Sequence, residues 1–195
     1  MNIIPLFPSF LATLDTSNII NLENIKSYCI DTRDKNVGHI DPLANELIPL
    51  TTWITNQSNS IKHMQGIKDS VTPKLENCWI NYSDSDSLRA SHINFPHAHI
   101  NYWISFVYYV QYETDAGQLT LMSPFRDIES TIPRKFIDSP NIHNSGNWAV
   151  LPHPGLAVAF PSWLVHYVEP NHSNTTRISI AYNFSLPHQL HDIVD

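Results

Sequence analysis

Charge, cysteine and long apolar runs are all scarce in this chain, and each scarcity narrows what it can be. Only 15% of its 195 residues are charged. Acids outnumber bases 18 to 11, for a net charge of −7, so the basic surplus that nonspecific nucleic-acid or anionic-membrane binding draws on is missing. No apolar run approaches the roughly 20 residues of a membrane-spanning helix. The opening MNIIPLFPSF has no basic segment and is interrupted by Pro5 and Pro8, so it does not read as a secretory leader. Cys29 and Cys78 are the only cysteines and form no CxxC pair, which points to reduced core thiols in a cytoplasmic protein. Sequons such as Asn56-Gln57-Ser58 then reflect the abundance of Asn. No repeat and no linker is visible, so residues 1–195 read as one domain.

What is present is an ordinary apolar fraction of 42%, distributed in two styles. Residues 1–77 form an α-rich segment. Its first stretch, 3–14, has two prolines and suits an edge strand. Thr16, Ser17 or Asn18 could cap a helix running to about Ile30, with Ile19, Leu22, Ile25 and Cys29 as its apolar stripe. Asp41-Pro42 reads as a second helix start, carrying Leu43 and Leu47 until Pro49 stops it. Residues 56–60 read as a polar loop, followed by a possible helix from Ile61 that ends before Pro73.

From Cys78 to about residue 186 short β-type runs recur with turn signals between them. They are Cys78–Tyr82, Asn101–Tyr112, Gln118–Met122, Trp148–Leu151, Leu156–Phe160, Val165–Val168 and Arg177–Phe184. Such spacing predicts a sandwich or barrel, hence a mainly β (α+β) protein with N-terminal helices packed on a β core. Residues 123–147 are the longest strand-poor stretch, the sort of loop that often covers an active site.

Two stretches carry chemistry. The first is Phe95 to Val110, FPHAHINYWISFVYYV, read as one long strand. Residues two apart on a strand face the same way, so His97 and His99 would project together as a metal chelate. A surface pair in a chain with eleven histidines is the ordinary alternative. The second is Gly155 to Asn183. In Arg177-Ile178-Ser179-Ile180-Ala181-Tyr182-Asn183, Arg177, Ser179, Ala181 and Asn183 share one face. If residues 166–168 and 177–183 form a hairpin, a two-residue turn at Asn171-His172 sets His166 opposite Arg177, and a four-residue loop sets it opposite Ser179. Both registers put a metal-capable imidazole beside a carboxylate-reading guanidinium. The competing explanation for Arg177 is an Arg–Glu or Arg–Asp pair within the sheet.

Together these parts resemble the double-stranded β-helix (jelly-roll) oxygenases that use iron and 2-oxoglutarate. More narrowly they resemble the 2OG-Fe(II) oxygenases of bacteria and phages that share an HxH, an FPswl-H and an R-i-s-i block. The matching residues are His97-Ala98-His99, Ser105 to Val110, Gly155 to His166 with its FPSWLVH, and Arg177-Ile178-Ser179-Ile180. Pro5 to Pro8 and Trp79-Ile80-Asn81 look like further landmarks.

The resemblance implies Fe(II) held by His97, His99 and His166. It implies 2-oxoglutarate anchored by Arg177 with help from Ser179, and hydroxylation of an unidentified substrate by O2 through a ferryl intermediate. Strand parity favours Tyr109 over Tyr108 as a hydrogen-bonding neighbour of 2-oxoglutarate, unless a bulge reverses it. Asn183 is the remaining candidate on the Arg177 face, in a supporting role.

His99 stands where the wider superfamily usually has Asp or Glu, which leaves a metal centre one unit more positive. Ile100 and Phe106 replace a Pro and a Gly, and Phe106 would reshape the adjoining pocket wall. Two rivals are a cupin-type metal dioxygenase without 2-oxoglutarate and a jelly-roll binding module without catalysis. Expected partners are therefore 2-oxoglutarate, O2 and a primary substrate. Neither membrane nor nucleic acid is expected, and a homodimer follows only from the commonness of symmetric pairs. Trp103, Trp148 and Trp163 read as core or pocket wall.

Overall fold

The computed structural model describes residues 9–16, 18–34, 40–85, 94–125 and 131–187. Nine strands and two helices follow the order β1 (Ala12–Asp15), α1 (Leu22–Asp34), α2 (Ile48–Met64), β2 (Lys74–Ser83), β3 (Asn94–His97), β4 (Ile104–Gln111), β5 (Leu119–Met122), β6 (Asn147–Val150), β7 (Leu156–Pro161), β8 (His166–Val168) and β9 (Arg177–Ser185). They pair into a five-stranded sheet, β1-β7-β4-β9-β2, and a four-stranded sheet, β3-β8-β5-β6. Every pairing is antiparallel.

The larger sheet is buried on both faces. One face meets the helices: Ile104, Phe106, Tyr108, Ile178, Ile180, Tyr182 and Phe184 form a single cluster with Ile25, Cys29, Leu50 and Ile54. The other face looks toward the smaller sheet, where Tyr109, Val158 and Phe160 cluster with Leu119 and Leu121. Two-sided burial explains why β4 reads as a near-continuous apolar run, while β9 keeps its polar residues buried on the inner face.

The helices differ from the sequence expectation for identifiable reasons. α1 begins at Leu22, because Asn21 caps it by accepting the Asn24 N–H at 3.3 Å. Ile19, placed on the expected stripe, lies before the helix and is 62% exposed. Pro49 does not stop a helix but sits in the first turn of α2, where its missing N–H costs nothing. The supposed loop 56–60 is helix interior. Ser58 is buried on the same side as Leu50, Ile54 and Ile61, and its hydroxyl donates to the Thr55 carbonyl at 2.8 Å. A serine in a core position hides the apolar period. At Asp41 the side chain makes a local turn, accepting the Leu43 N–H at 2.8 Å, rather than starting a helix.

The β elements carry two larger corrections. Phe95 to Val110 is not one strand, since β3 ends at His97 in the smaller sheet and β4 starts at Ile104 in the larger. The intervening turn is fixed by His99 N–H to Ser162 O at 2.7 Å and Trp103 N–H to Phe184 O at 2.8 Å. The 166–183 hairpin does not form either. β8 pairs with β3 and β5, whereas β9 pairs with β2 and β4. The connection carries the chain between sheets because buried Asn171 ties it down, donating to the carbonyls of Ser83 and Thr175 at 2.7 Å each.

Phe106 also sits differently from the expectation. Its backbone borders the inter-sheet space, but its ring packs edge-to-face on Phe184 (centroids 5.7 Å apart) in the helix-side cluster. Phe106→Ala is therefore expected to cost about 3–5 kcal/mol of stability, read as a lower urea midpoint at unchanged slope. A loss below about 1 kcal/mol would contradict this placement.

Candidate metal centre

The inward residues of the larger sheet lie in register across three strands. Tyr109, Ser179 and Asn81 are mutually opposed, as are Val107, Ala181 and Trp79, and Ser105, Asn183 and Asn77. Arg177 completes the β9 face opposite Ser83. From the smaller sheet come His97 and His166, directly paired between β3 and β8. His99 joins them from the turn after β3. Apart from Asn77 and Ser83, these residues line one cavity of about 200 Å³ between the sheets, with the histidines and Arg177 both in its wall.

The three imidazoles bring one ligand atom each to within 4.8 Å of one another. Their ring centroids are 4.5 Å (His97–His166), 5.1 Å (His97–His99) and 5.2 Å (His99–His166) apart. Two have their tautomer set by backbone. His97 Nδ1 lies 2.7 Å from the Phe95 carbonyl and His166 Nδ1 lies 2.9 Å from the Leu164 carbonyl. A carbonyl only accepts, so these Nδ1 atoms carry the proton and each Nε2 keeps a free lone pair.

Burial favours the neutral form of two of the rings, His166 and His99. It pushes His166 down to about 4, helped by its two histidine neighbours and opposed by the bond to Leu164. It lowers His99 as well, against the raising effect of the Asn183 hydrogen bond. Neutral imidazoles are the metal-binding form, and a clustered trio with no acid suits a borderline divalent ion such as Fe(II).

Arg177 is buried, yet no carboxylate of a described residue pairs with it. Its Nη1 donates to the carbonyls of Ala116 (2.5 Å), Glu169 (3.1 Å) and Gly117 (3.2 Å). All three bonds fall on one nitrogen, so among the described residues the Nε and Nη2 side is left for a ligand. Dipoles alone compensate a buried cation poorly, so an anion entering the cavity would relieve it. Tyr109, wholly buried, lies near the guanidinium, and burial raises its phenol well above its ordinary value, so it stays a neutral hydrogen-bonding group. The one register shift on β4 falls after Tyr109, between Tyr109 and Gln111, so Tyr109 keeps the inward parity and Tyr108 packs toward the helices.

Both the sequence and the fold around this cavity have counterparts among known proteins. Residues 77–183, more than half of the chain, match the family described as 2OG-Fe(II) oxygenase. The chain belongs to that family. Its fold is that of solved 2OG-Fe(II) oxygenases. A prolyl-4-hydroxylase of Pseudomonas putida superposes with a TM-score of 0.62 at 16% identity, over 90% of this chain and 86% of that one. The viral collagen prolyl hydroxylase of Paramecium bursaria Chlorella virus-1 gives 0.58 at 10% identity, over 95% and 98%. HygX of Streptomyces hygroscopicus, solved with nickel and 2-oxoglutarate, gives 0.57 at 8% identity, over 91% and 82%. No curated protein matches the sequence.

The double-stranded β-helix and the Fe(II) and 2-oxoglutarate chemistry of this oxygenase follow from that membership. All seven residues singled out in the sequence line the one cavity: His97, His99, His166, Arg177, Ser179, Tyr109 and Asn183. Asn183 lies at the His99 end, with its amide 2.9 Å from the His99 Nδ1.

Other residues of the site escaped the sequence reading. Trp79 and Asn81 were landmarks only, but both line the cavity, and the indole lies 5.7 Å from the His99 ring. Ser105 and Ser162 hydrogen-bond at 2.8 Å behind Asn183. Gly117 has φ +83, and a Cβ there would meet Glu169 O at 2.2 Å and Arg177 Nη1 at 2.6 Å. No sequence signal separates these from ordinary strand and turn residues.

Conversely, no described residue of 123–147 borders the cavity. Trp148 and Trp163 are 45% and 48% exposed, outside the core. Trp103 packs on the helix-side cluster. His92 lies outside the described residues, and His153 and His172 line a separate cleft behind Gly117.

The buried His166 predicts a pH effect. Unfolded His166 would titrate near 6.5 and the folded residue at about 4, so the unfolded state takes up the proton first. Stability of the metal-free protein is thus expected to fall as pH drops from about 6.5 to 4, by up to about 3 kcal/mol from this residue. Urea midpoints across that range should flatten by more than half in His166→Asn. An unchanged slope would contradict the assignment.

Proposed function

We propose that this oxygenase is a 2-oxoglutarate-dependent hydroxylase that binds iron through His97, His99 and His166 and the distal carboxylate of 2-oxoglutarate through Arg177. The observation that carries the reading is the buried guanidinium, with no carboxylate partner among the described residues, sharing one cavity with a clustered histidine trio. Iron with 2-oxoglutarate supplies O2 activation for C–H oxidation when bound. The chain's own residues would do the rest. Tyr109 and Ser179, opposed across β4 and β9, offer hydroxyl groups toward the diacid beside Arg177. Phe160, Leu119 and Val168 exclude water around it. Three neutral ligands plus Arg177 also favour a dianionic co-substrate, because no protein carboxylate offsets the charge of the metal.

The primary substrate, in this reading, enters from a cleft of about 500 Å³ that shares Trp79, His99 and Asn183 with the inner cavity. Among the described residues its lining has no Asp, Glu, Lys or Arg, only side chains such as Asn77, Asn101, Tyr102 and Trp79. An uncharged, hydrogen-bonding substrate fits that lining better than a nucleic acid does, in keeping with the net charge of −7. We assign the enzyme to the cytoplasm, where Cys29 and Cys78, both buried and held near 12 chiefly by desolvation, stay reduced. We read residues 1–195 as one domain, its N-terminal helices being part of the same core. A homodimer is carried forward on symmetry alone.

Anaerobic titration with Fe(II) and 2-oxoglutarate, following the visible charge-transfer band of the chelate, tests the function. The band is expected to need both components. Arg177→Ala and Gly117→Ala should each weaken 2-oxoglutarate binding at least tenfold while leaving metal binding in place. No band despite bound metal would overturn the proposal in favour of a cupin-type enzyme or a non-catalytic module.

A further inference from the structure

His99 differs from the other two histidines in what holds it. His97 and His166 each face a carbonyl, which can only accept, and their Nε2 atoms are committed to the cavity. His99 Nδ1 faces the side-chain amide of Asn183, 2.9 Å from Nδ2 and 3.2 Å from Oδ1. An amide can donate or accept. Behind it, Asn183 Oδ1 accepts from Ser105 Oγ at 2.7 Å, and Ser105 Oγ lies 2.8 Å from Ser162 Oγ. Asn183, Ser105 and Ser162 are all buried, so solvent does not substitute for the links among them.

We propose that Asn183 is the positioning residue that decides whether His99 is a metal ligand, and that the chain Ser162–Ser105–Asn183–His99 reverses its direction when metal binds. The proposal rests on the reading of the histidine trio as the iron site. In one direction Ser105 donates to Oδ1 and Nδ2 donates to His99 Nδ1. The ring proton then sits on Nε2, and His99 offers the metal no lone pair there. In the other direction the amide is turned. His99 Nδ1–H donates to Oδ1, Nδ2 donates to Ser105, Ser105 donates to Ser162, and Nε2 is bare.

The ring carries one proton in both states, and the chain makes the same number of hydrogen bonds. The hydroxyls allow the change because each can donate or accept. The shorter contact to Nδ2 and the Ser105–Oδ1 bond match the first direction, the state before metal. Two ligands are thus always ready, and the third, standing in the usual place of a carboxylate, is recruited by the ion. A bond from the ligand's far nitrogen commonly changes metal affinity ten- to a hundredfold.

The test uses the full chain with Zn(II) and Co(II) as probes. Long-range proton–nitrogen NMR of 15N-histidine protein reports each ring's tautomer. Without metal, His97 and His166 are expected protonated on Nδ1 and His99 on Nε2, and Zn(II) should move only the His99 proton to Nδ1. Asn183→Asp, which can only accept when ionised, should fix His99 as the Nδ1–H tautomer without metal. Asn183→Leu should weaken Co(II) binding at least tenfold by calorimetry. If the Leu variant fails to fold, the Asp variant and the wild-type spectra still decide.

A His99 already protonated on Nδ1 in metal-free wild type would overturn the reversal. Unchanged Co(II) affinity in Asn183→Leu would overturn the positioning role. Failure of the underlying site reads differently, as wild-type protein that does not bind Co(II), or binds it equally well in His97→Ala.

Discussion

The structure depends on β9 being buried on both faces at once. One side of the strand, Ile178, Ile180, Tyr182 and Phe184, is locked under the two helices, and the other side, Arg177, Ser179, Ala181 and Asn183, can then be polar without being exposed. Flanked by β4 and β2, the strand cannot slip by one residue without exchanging these two sets, so the apolar packing enforces the register of the site. The N-terminal helices thereby act on chemistry they never touch. They supply the pressure that keeps a guanidinium and an amide on the inner face.

Electrostatics inside the cavity follow from what is absent as much as from what is there. The wall holds three imidazoles, of which His99 and His166 are pushed toward the neutral form by burial, and one permanent cation, with no carboxylate among its described residues. Such a site is incomplete in charge. A dication alone would add to the imbalance, whereas a dication with a dianionic chelate adds no net charge, so metal and 2-oxoglutarate should favour each other's binding. Gly117 matters here through its lack of a side chain, since a Cβ would occupy the space between two carbonyls and Arg177 Nη1.

Much of this was legible in the sequence, though partly for the wrong reasons. The alternation in Arg177 to Asn183 showed correctly which residues share a face, and parity selected Tyr109 because the β4 irregularity falls beyond it. His97 and His99 do meet, but across a strand end and a turn rather than along one strand. His166 and Arg177 reach one cavity from opposite sheets, not through a hairpin. Period-two patterns report which way a side chain points, and cannot report which sheet a strand joins when a buried loop residue such as Asn171 redirects the chain. The second helix was obscured because Ser58 takes a core position and Pro49 was read as a terminator rather than a first-turn residue. The roles of Ser105, Ser162 and Gly117 were not legible, because they exist only in the company of distant partners.

The central claim is that one cavity between two sheets holds the metal on three histidines and the co-substrate on Arg177. A crystal structure of the anaerobic protein with Fe(II) and 2-oxoglutarate, with the metal located by its anomalous scattering, tests it most directly. The account predicts iron on the Nε2 atoms of His97, His99 and His166, with the far carboxylate of 2-oxoglutarate on Arg177. Iron elsewhere, or 2-oxoglutarate bound away from Arg177, would contradict it.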